Sequence, residues 1–540
     1  MKNDSHLAVW LADSTDEYHA APTVGEVLSR SASLWPDREA VVYSCQPDIR
    51  ETRWSYRELN EMAEQFASGL LQHGYTPGDR IAVWGPNHPE WILLEYALAK
   101  AGMVIVAINP LYKETELVYA LNTSQVKGIF HADRVGKIAL ENIIETAKPR
   151  VPSLIGAHAF SRAIVDFCSQ SRPTDTPVTV KSSDVFMIQY TSGTTGPPKA
   201  AQLTHGAITH TAKASYRRWG IEEGSRVCHG FPLFHVGGSG NSTPGAAITG
   251  ATTLPLYIFK PETTLDILES EQCSGFIGVP TMLTAMLEHP SFASRDLSHL
   301  KYIIAGGSQV PENLLHRCES EFGVEMINCY GQTETCGVTS STRSSDSTYA
   351  KSQTSGRPLD GVSVKIVNEH GEIAARDTPG QLNYKGPGIM FGYLDDETNR
   401  EVFSADGWLQ TGDLARMDHQ GNIIVVGRSR EMIIRGGENL SPAEIENYVL
   451  EHPDVADIAV IGLPDSKYGE VVCAVIRPRS NDHATPEQIR AWCSERISRW
   501  KVPEYVVFVN VFPTTHSGKV QKHLLREQII ASLGENALTP

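Results

Sequence analysis

The sequence lacks paired cysteine motifs, a Walker-type phosphate loop and any long uninterrupted apolar run. Each absence removes a class of function. The nine cysteines, Cys45, Cys168, Cys228, Cys273, Cys318, Cys329, Cys336, Cys473 and Cys493, are scattered without a C-x-x-C pair. Neither a zinc knuckle nor a disulfide framework is indicated, and buried thiols in a reducing compartment are expected. No G-x-x-x-x-G-K-[ST] string occurs, which excludes a P-loop nucleotidase. The most apolar stretch, 91–108, contains Glu95 and Lys100 and reads as a helix followed by a strand. It is too interrupted to span a membrane. The first residues carry Asp4 and Asp13 where a signal peptide needs an apolar core, and the final Leu-Thr-Pro is not a peroxisomal tripeptide. Cytoplasmic residence is the expectation. Positive charge is also scarce: 47 Lys and Arg face 63 Asp and Glu, for a net charge of −16. That argues against a nucleic-acid partner, while a local pocket can still be positive enough for a small anion.

What is present describes an ordered protein. Hydrophobic residues make up 41% and charged residues 20% of the 540, which excludes wholesale disorder. Leu59, Met62, Ala63, Phe66, Ala67, Leu70 and Leu71 form a helical stripe ending at Gly74. Ile81–Trp84 then reads as a strand. The alternation recurs: Lys301–Ala305 as strand, Pro311–Phe322 as helix, Val324–Cys329 as strand. An α/β fold follows, with a large N-terminal domain of helix-flanked sheets over 1–429. Thr339–Ser355, with 11 Ser or Thr among 17 residues, reads as an exposed loop within that domain. Ser441-Pro-Ala-Glu444 is a capping box that opens a helix to about Leu450. Strands at Ala456–Ile461, Val471–Ile476 and Tyr505–Val509, with a helix from about Pro486 to Ile497, complete a small α+β C-terminal domain over 430–540.

The densest chemistry lies in Tyr190-Thr-Ser-Gly-Thr-Thr-Gly-Pro-Pro-Lys199, directly after the apolar run Val185–Ile188. Gly193 and Gly196 let backbone N–H groups turn toward an anion. Thr191, Ser192, Thr194 and Thr195 add hydroxyl donors, and Lys199 adds a positive charge. On composition alone this could be a surface turn; the whole string is more specific.

With this string the chain resembles the adenylate-forming superfamily of acyl-CoA synthetases, peptide-synthetase adenylation domains and beetle luciferases. Tyr330-Gly331-Gln332-Thr333-Glu334, Thr411-Gly412-Asp413, Gly427-Arg428-Ser429-Arg430-Glu431, Gly436-Gly437-Glu438-Asn439 and Ser517-Gly518-Lys519 match further elements in the family's order. The resemblance spans about residues 30–525.

The resemblance implies a two-step reaction. A carboxylate attacks the α-phosphorus of ATP, pyrophosphate leaves, and the acyl-adenylate passes its acyl group to a thiol. It implies that Thr191, Ser192, Gly193, Thr194, Thr195, Gly196 and Lys199 hold the phosphates, and that Glu334 binds Mg²⁺. The nucleotide wall would be Gly306, Gly307, Ser308, Asn328, Cys329, Tyr330, Gly331, Gln332 and Thr333, with Asp413 and Arg428 at the ribose. Lys519, with His235, Thr191 and Glu334, forms the implied catalytic set. An acyl site would be lined by His235, Val236, Gly237, Gly238, Val279, Pro280, Ala305, Gly306, Gly331 and Val338. The scarcity of bulk there suggests a broad or ring-bearing acid, and the lack of Lys and Arg argues against a second carboxylate. Coenzyme A would meet Gly436, Gly437, Glu438, Tyr468 and Trp500, while the small domain turns about Arg430. Val502 and Glu504 stand where related ligases carry basic residues, with Arg499 and Lys501 as nearby substitutes. Ala200 replaces the usual glycine after the loop lysine. No Leu-Gly-Gly-x-Ser attachment motif occurs, so amino-acid activation onto a fused carrier is not expected. The expected activity is an ATP- and Mg²⁺-dependent acid–CoA ligase acting on a small-molecule acid, with a homodimer as the family expectation. The alternatives are transfer to a carrier-protein phosphopantetheine, a luciferase-like oxygenase and an inactive nucleotide-binding module.

Overall fold

A computed structural model describes residues 6–12, 21–168, 178–191, 198–307, 310–428, 431–435, 438–465, 468–480, 483–497, 499–514 and 519–533. The helix predicted from the Leu59–Leu71 stripe is Tyr56–Gln72, capped at Ser55. The apolar stretch divides into the Pro89–Lys100 helix and the Val104–Ile108 strand. That helix is buried almost all round because it is apolar all round. Among the described residues, no helix is long and apolar enough to cross a membrane.

Two sheets dominate the large domain. In the first, Val185–Thr191, Val104–Ile108, Arg80–Trp84, Gly128–His131 and Gly156–Ala159 run parallel in that spatial order. Lys199–Thr204 turns back antiparallel beside Val185–Thr191, placing Thr191 opposite Lys199. In the second, Arg226–His229, Gly275–Gly278, Tyr302–Ala305 and Glu325–Tyr330 are parallel neighbours. Their carboxyl ends pair Ala305 with Asn328, two residues before Tyr330, at the edge where ligands of such sheets bind. A third, antiparallel sheet ends with Leu409–Met417 and Ile423–Arg428, which pair Asp413 with Arg428.

Beyond Arg428, Ile433–Arg435 already belongs to a different sheet, paired with Gly469–Pro478. Along that strand Val472, Ala474 and Ile476 enter one core while Val471, Cys473 and Val475 enter the other. Period-two alternation thus gives a small sheet with apolar clusters on both faces.

Two local expectations need correction. Thr339–Ser355 is an exposed loop only over 343–347: Ser340–Ser341 is a strand, Thr348–Gln353 a helix, and Thr339–Thr342 is buried. The hydroxyls of Thr339, Ser341 and Thr342 make burial tolerable by bonding inside the protein. Ser341 Oγ donates to the Asn328 carbonyl at 3.1 Å and accepts from Trp219 Nε1 at 3.0 Å. Thr339 Oγ1 bonds Thr335 Oγ1 at 2.9 Å. At the other site, Ser441 does cap the Pro442–Leu450 helix by accepting from Glu444 N. The Glu444 side chain turns instead to Lys501, 2.6 Å away.

No disulfide joins any of the nine cysteines. Six are buried, but Cys45 is exposed, contrary to the expectation of uniform burial.

Candidate active site

The site forms where strand ends from all three large sheets meet. Thr191 ends its strand with Oγ1 donating to the Lys199 carbonyl at 3.3 Å. Residues 192–197, which include the predicted Ser192, Gly193, Thr194, Thr195 and Gly196, lie outside the described residues, as do Ser308, Arg430, Gly436 and Gly437. For Glu438 only the backbone is described, as the first residue of the Glu438–Leu440 strand.

Tyr330 and Asp413 come together from distant sheets: the phenol donates to Asp413 Oδ2. Arg428 Nε lies 3.2 Å from Asp413 Oδ1. Burial and the facing carboxylate push the Tyr330 phenol well above its usual range, so it stays a donor. Burial opposes the Arg428 cation, yet Asp413, Glu431, Tyr330 and Glu334 together raise its pKa. Gln332 Nε2 reaches the Thr411 carbonyl at 3.4 Å. Lys519 stands in the field of Arg428, Glu431 and Asp413, with its pKa lowered by desolvation first and Arg428 second. The small domain's lysine and the large domain's aspartate therefore share one neighbourhood.

Asn328 supports this edge from behind, its Nδ2 donating to the Thr354 carbonyl at 3.0 Å. Gly306 presses against Cys329: a Cβ there would lie 2.7 Å from the thiol sulfur. Gly307 has φ +83° and faces Val279, the residue before the Pro280–Leu287 helix.

His235 introduces a π-helical turn, Val236–Ser242, with its ring 4.3 Å from Phe234. Such turns are rare and concentrate at functional sites. Here buried polar groups hold it open. Tyr216 donates to the Ser242 carbonyl at 2.9 Å, and Tyr96 to the Thr243 carbonyl at 3.1 Å. Thr243 Oγ1 donates to Glu95 Oε1 at 2.7 Å. Val236 faces Gly337, and Gly331 packs onto Gly337 and Val338. The glycines do not leave spare volume. A Cβ on Gly331 would lie 2.2 Å from the Gly337 oxygen, one on Gly238 2.4 Å from the Pro232 oxygen, and one on Gly237 3.1 Å from the Phe231 ring. They serve close packing, so they do not support the inference of a broad cavity.

Glu95 is fully buried, and burial pushes its carboxyl well above the usual 4.5, against the opposing Thr243 bond. Above that ordinary value the unfolded chain ionises Glu95 while the fold keeps the proton. Stability therefore falls with rising pH until the raised folded pKa is passed. Glu95→Gln removes the titration and keeps an acceptor for Thr243. Its Tm relative to wild type should rise by on the order of 2 °C from pH 5 to pH 8. Thermal melts at the two pH values check this, and equal differences would mean an ionised Glu95 in the fold.

In the small domain the Tyr468 and Trp500 rings meet edge-on, 5.6 Å apart. Arg435, which sequence reasoning missed, lies over both rings at 5.4 and 5.7 Å. It also pairs with Glu504 at 3.0 Å, so that carboxylate is compensated within the domain. Lys501 is engaged by Glu444, while Arg499 is exposed. Tyr393 was missed too: its hydroxyl donates to Glu334 Oε1 at 2.6 Å. The run Gly386–Tyr393 after a strand was the available signal, but nothing local ties it to Glu334.

Residues 28–394 match the family described as AMP-binding enzyme, and residues 444–519 match the AMP-binding enzyme C-terminal domain. The chain is 35% identical to the putative acyl-CoA synthetase YngI of Bacillus subtilis (strain 168), over 94% of this chain and 97% of that protein. It is also 35% identical to the mitochondrial medium-chain acyl-CoA ligase ACSF2 of Bos taurus, over 94% of this chain and 87% of that protein. ATP-bound MatB from Rhodopseudomonas palustris overlays with a TM-score of 0.86 at 25% identity, covering 94% of this chain and 99% of MatB. The apo form of MatB overlays at 0.75, with 95% and 100% covered.

Proposed function

The chain belongs to the AMP-binding enzyme family, and on that footing we propose that it is an ATP-dependent carboxylic acid–CoA ligase. The observation that carries the proposal is the Tyr330–Asp413–Arg428 cluster, with Lys519 of the small domain close enough to feel the charges of Asp413 and Arg428.

In the first step the acid's carboxylate oxygen attacks the α-phosphorus of ATP and the bond to the β-phosphate oxygen breaks. Acyl-AMP and pyrophosphate result. Positioning and charge neutralisation are most of what a protein contributes to such a transfer. Asp413 accepts the ribose hydroxyls alongside its present partners, since a carboxylate offers about four lone-pair sites. Tyr330 supplies a flat wall for adenine, and Lys199 and Thr191 flank the polyphosphate. Lys519 stabilises negative charge on the attacking carboxylate and the α-phosphate.

The residues fit Mg²⁺: Glu334 commits one carboxylate oxygen to Tyr393, and Mg²⁺ commonly binds through one or two carboxylates plus substrate phosphates. Among the described residues no cluster of three or more His, Cys, Asp or Glu could cage a metal. Glu334 would hold the ion, which would neutralise phosphate charge when bound.

In the second step the CoA thiolate attacks the acyl carbonyl and AMP leaves. We infer that the small domain turns about Arg430 between steps, withdrawing Lys519 and bringing the 436–439 segment to the acyl group. The better overlay on ATP-bound than on apo MatB supports reading the present arrangement as the adenylating one. We also read the acid as a monocarboxylic one, since the predicted acyl set lacks Lys and Arg, and place the reaction in the cytoplasm on the scattered, unbridged cysteines.

Pyrophosphate release, measured with ATP and Mg²⁺ across medium-chain, aromatic and alicyclic acids, tests the reading. Turnover that requires CoA and yields an acyl-CoA mass is expected. One burst of acyl-AMP without CoA consumption would move the acceptor to a carrier-protein phosphopantetheine.

A further inference from the structure

Lys199 and Glu334 carry opposite charges, and the ligase reading assigns both to the polyphosphate. Left side by side they would form an ion pair, which ATP would have to break before either could serve it. Tyr393 stands between them. The Lys199 ammonium lies 5.4 Å from the centre of its ring, within cation–π range, while its hydroxyl donates to Glu334 Oε1 at 2.6 Å.

The tyrosine is itself firmly placed. The Gly392–Tyr393 strand pairs with Lys199–Thr204, setting Tyr393 opposite Ala201. Asn399 clamps its backbone from both sides: Tyr393 N donates to Asn399 Oδ1 at 2.7 Å, and Asn399 Nδ2 donates to the Tyr393 carbonyl at 2.9 Å. The same segment grips Glu334 a second time, through Met390 N donating to the Glu334 carbonyl at 2.9 Å. Only one carboxylate oxygen is used by the phenol, which leaves the other to face a cation.

We propose that Tyr393 is a positioning residue that holds Lys199 and Glu334 apart and aims both at the triphosphate. The proposal rests on the ligase reading of this site. Its two halves separate by chemistry: the ring serves Lys199, and the hydroxyl serves Glu334.

Equilibrium binding of ATP to the full-length protein, without acid and with or without Mg²⁺, tests it. Tyr393→Phe keeps the ring and loses the hydroxyl. It should weaken ATP binding about tenfold when Mg²⁺ is present, the loss of one hydrogen bond to a charged group, and leave binding without Mg²⁺ nearly unchanged. Tyr393→Leu removes the ring as well and should weaken binding in both conditions. Melting temperature is followed in parallel, and Tyr393→Phe should melt with wild type. Unchanged Mg²⁺-dependent binding in Tyr393→Phe overturns the proposal. So does an equal loss in both conditions accompanied by a fall in melting temperature, which would mark a merely structural tyrosine. Wild-type protein with no affinity for ATP would instead sink the ligase reading, and this proposal with it.

Discussion

Lys519→Ala should slow acyl-adenylate formation by about 10²–10³-fold, the usual cost of removing one preorganised charge stabiliser. Thioester formation from supplied acyl-AMP and CoA should stay within about twofold of wild type, because the proposed cycle uses the lysine in only one half-reaction. Pyrophosphate exchange reads the first step, and acyl-CoA appearance from acyl-AMP reads the second. Equal losses in both would mean Lys519 holds the fold or the nucleotide generally. The same lysine predicts a pH limb. Its side chain reaches solvent, yet desolvation and Arg428 lower its pKa from 10.5, against the attraction of Glu431 and Asp413. The cation that adenylation needs is present below that lowered pKa and lost as pH rises through it. Adenylation at low ATP should therefore decline at a pH below the ordinary lysine range. Saturating ATP, whose phosphates favour the cation, should push the limb upward.

Asp413→Asn should raise the KM for ATP by about 10²-fold, close to 3 kcal/mol, with a smaller effect on the KM for the acid. Asp413 is only 4% exposed and accepts from Tyr330 while pairing with Arg428. The amide has nearly the same shape but carries no charge, so Arg428 loses its partner and the ribose meets a weaker acceptor. Thr411 would still tie the strand, since its hydroxyl accepts from residue 413 N and donates to the Leu382 carbonyl. Calorimetric titration with ATP in the absence of acid isolates the nucleotide contribution. An unchanged ATP affinity beside an altered acid KM would remove Asp413 from the ribose.

Much of this architecture was legible because its signals are local. The Leu59–Leu71 stripe records one buried helix face and the continuous apolar run Val471–Ile476 a strand buried on both faces, and both elements formed as expected. Ser441 announced its helix for the same reason. The misreadings share a cause as well. A run of hydroxyls looks like solvent-exposed loop until partners such as Trp219 and Asn328 arrive from elsewhere in the chain. Glu504 looks like a charge hostile to CoA until Arg435 reaches it. Glycines in the acyl set look like open space until the backbone of residues 232 and 337 fills it.

By itself the sequence determined which residues are proposed for the site: the string ending at Lys199, Glu334, Asp413 and the distant Lys519. It also determined strands that lead toward them, such as Val185–Thr191 and Glu325–Tyr330, because hydrophobic periodicity is a short-range property. Only the tertiary structure decided who touches whom. Tyr330 and Asp413 are 83 residues apart, and Glu334 and Tyr393 are 59 apart. Packing of one sheet against another brings such pairs within hydrogen-bond distance, and a one-residue register shift would turn strand-borne Tyr330, Asp413 and Tyr393 to the opposite face. Contacts of that kind depend on the packing of whole sheets, which no stretch of neighbouring residues encodes alone.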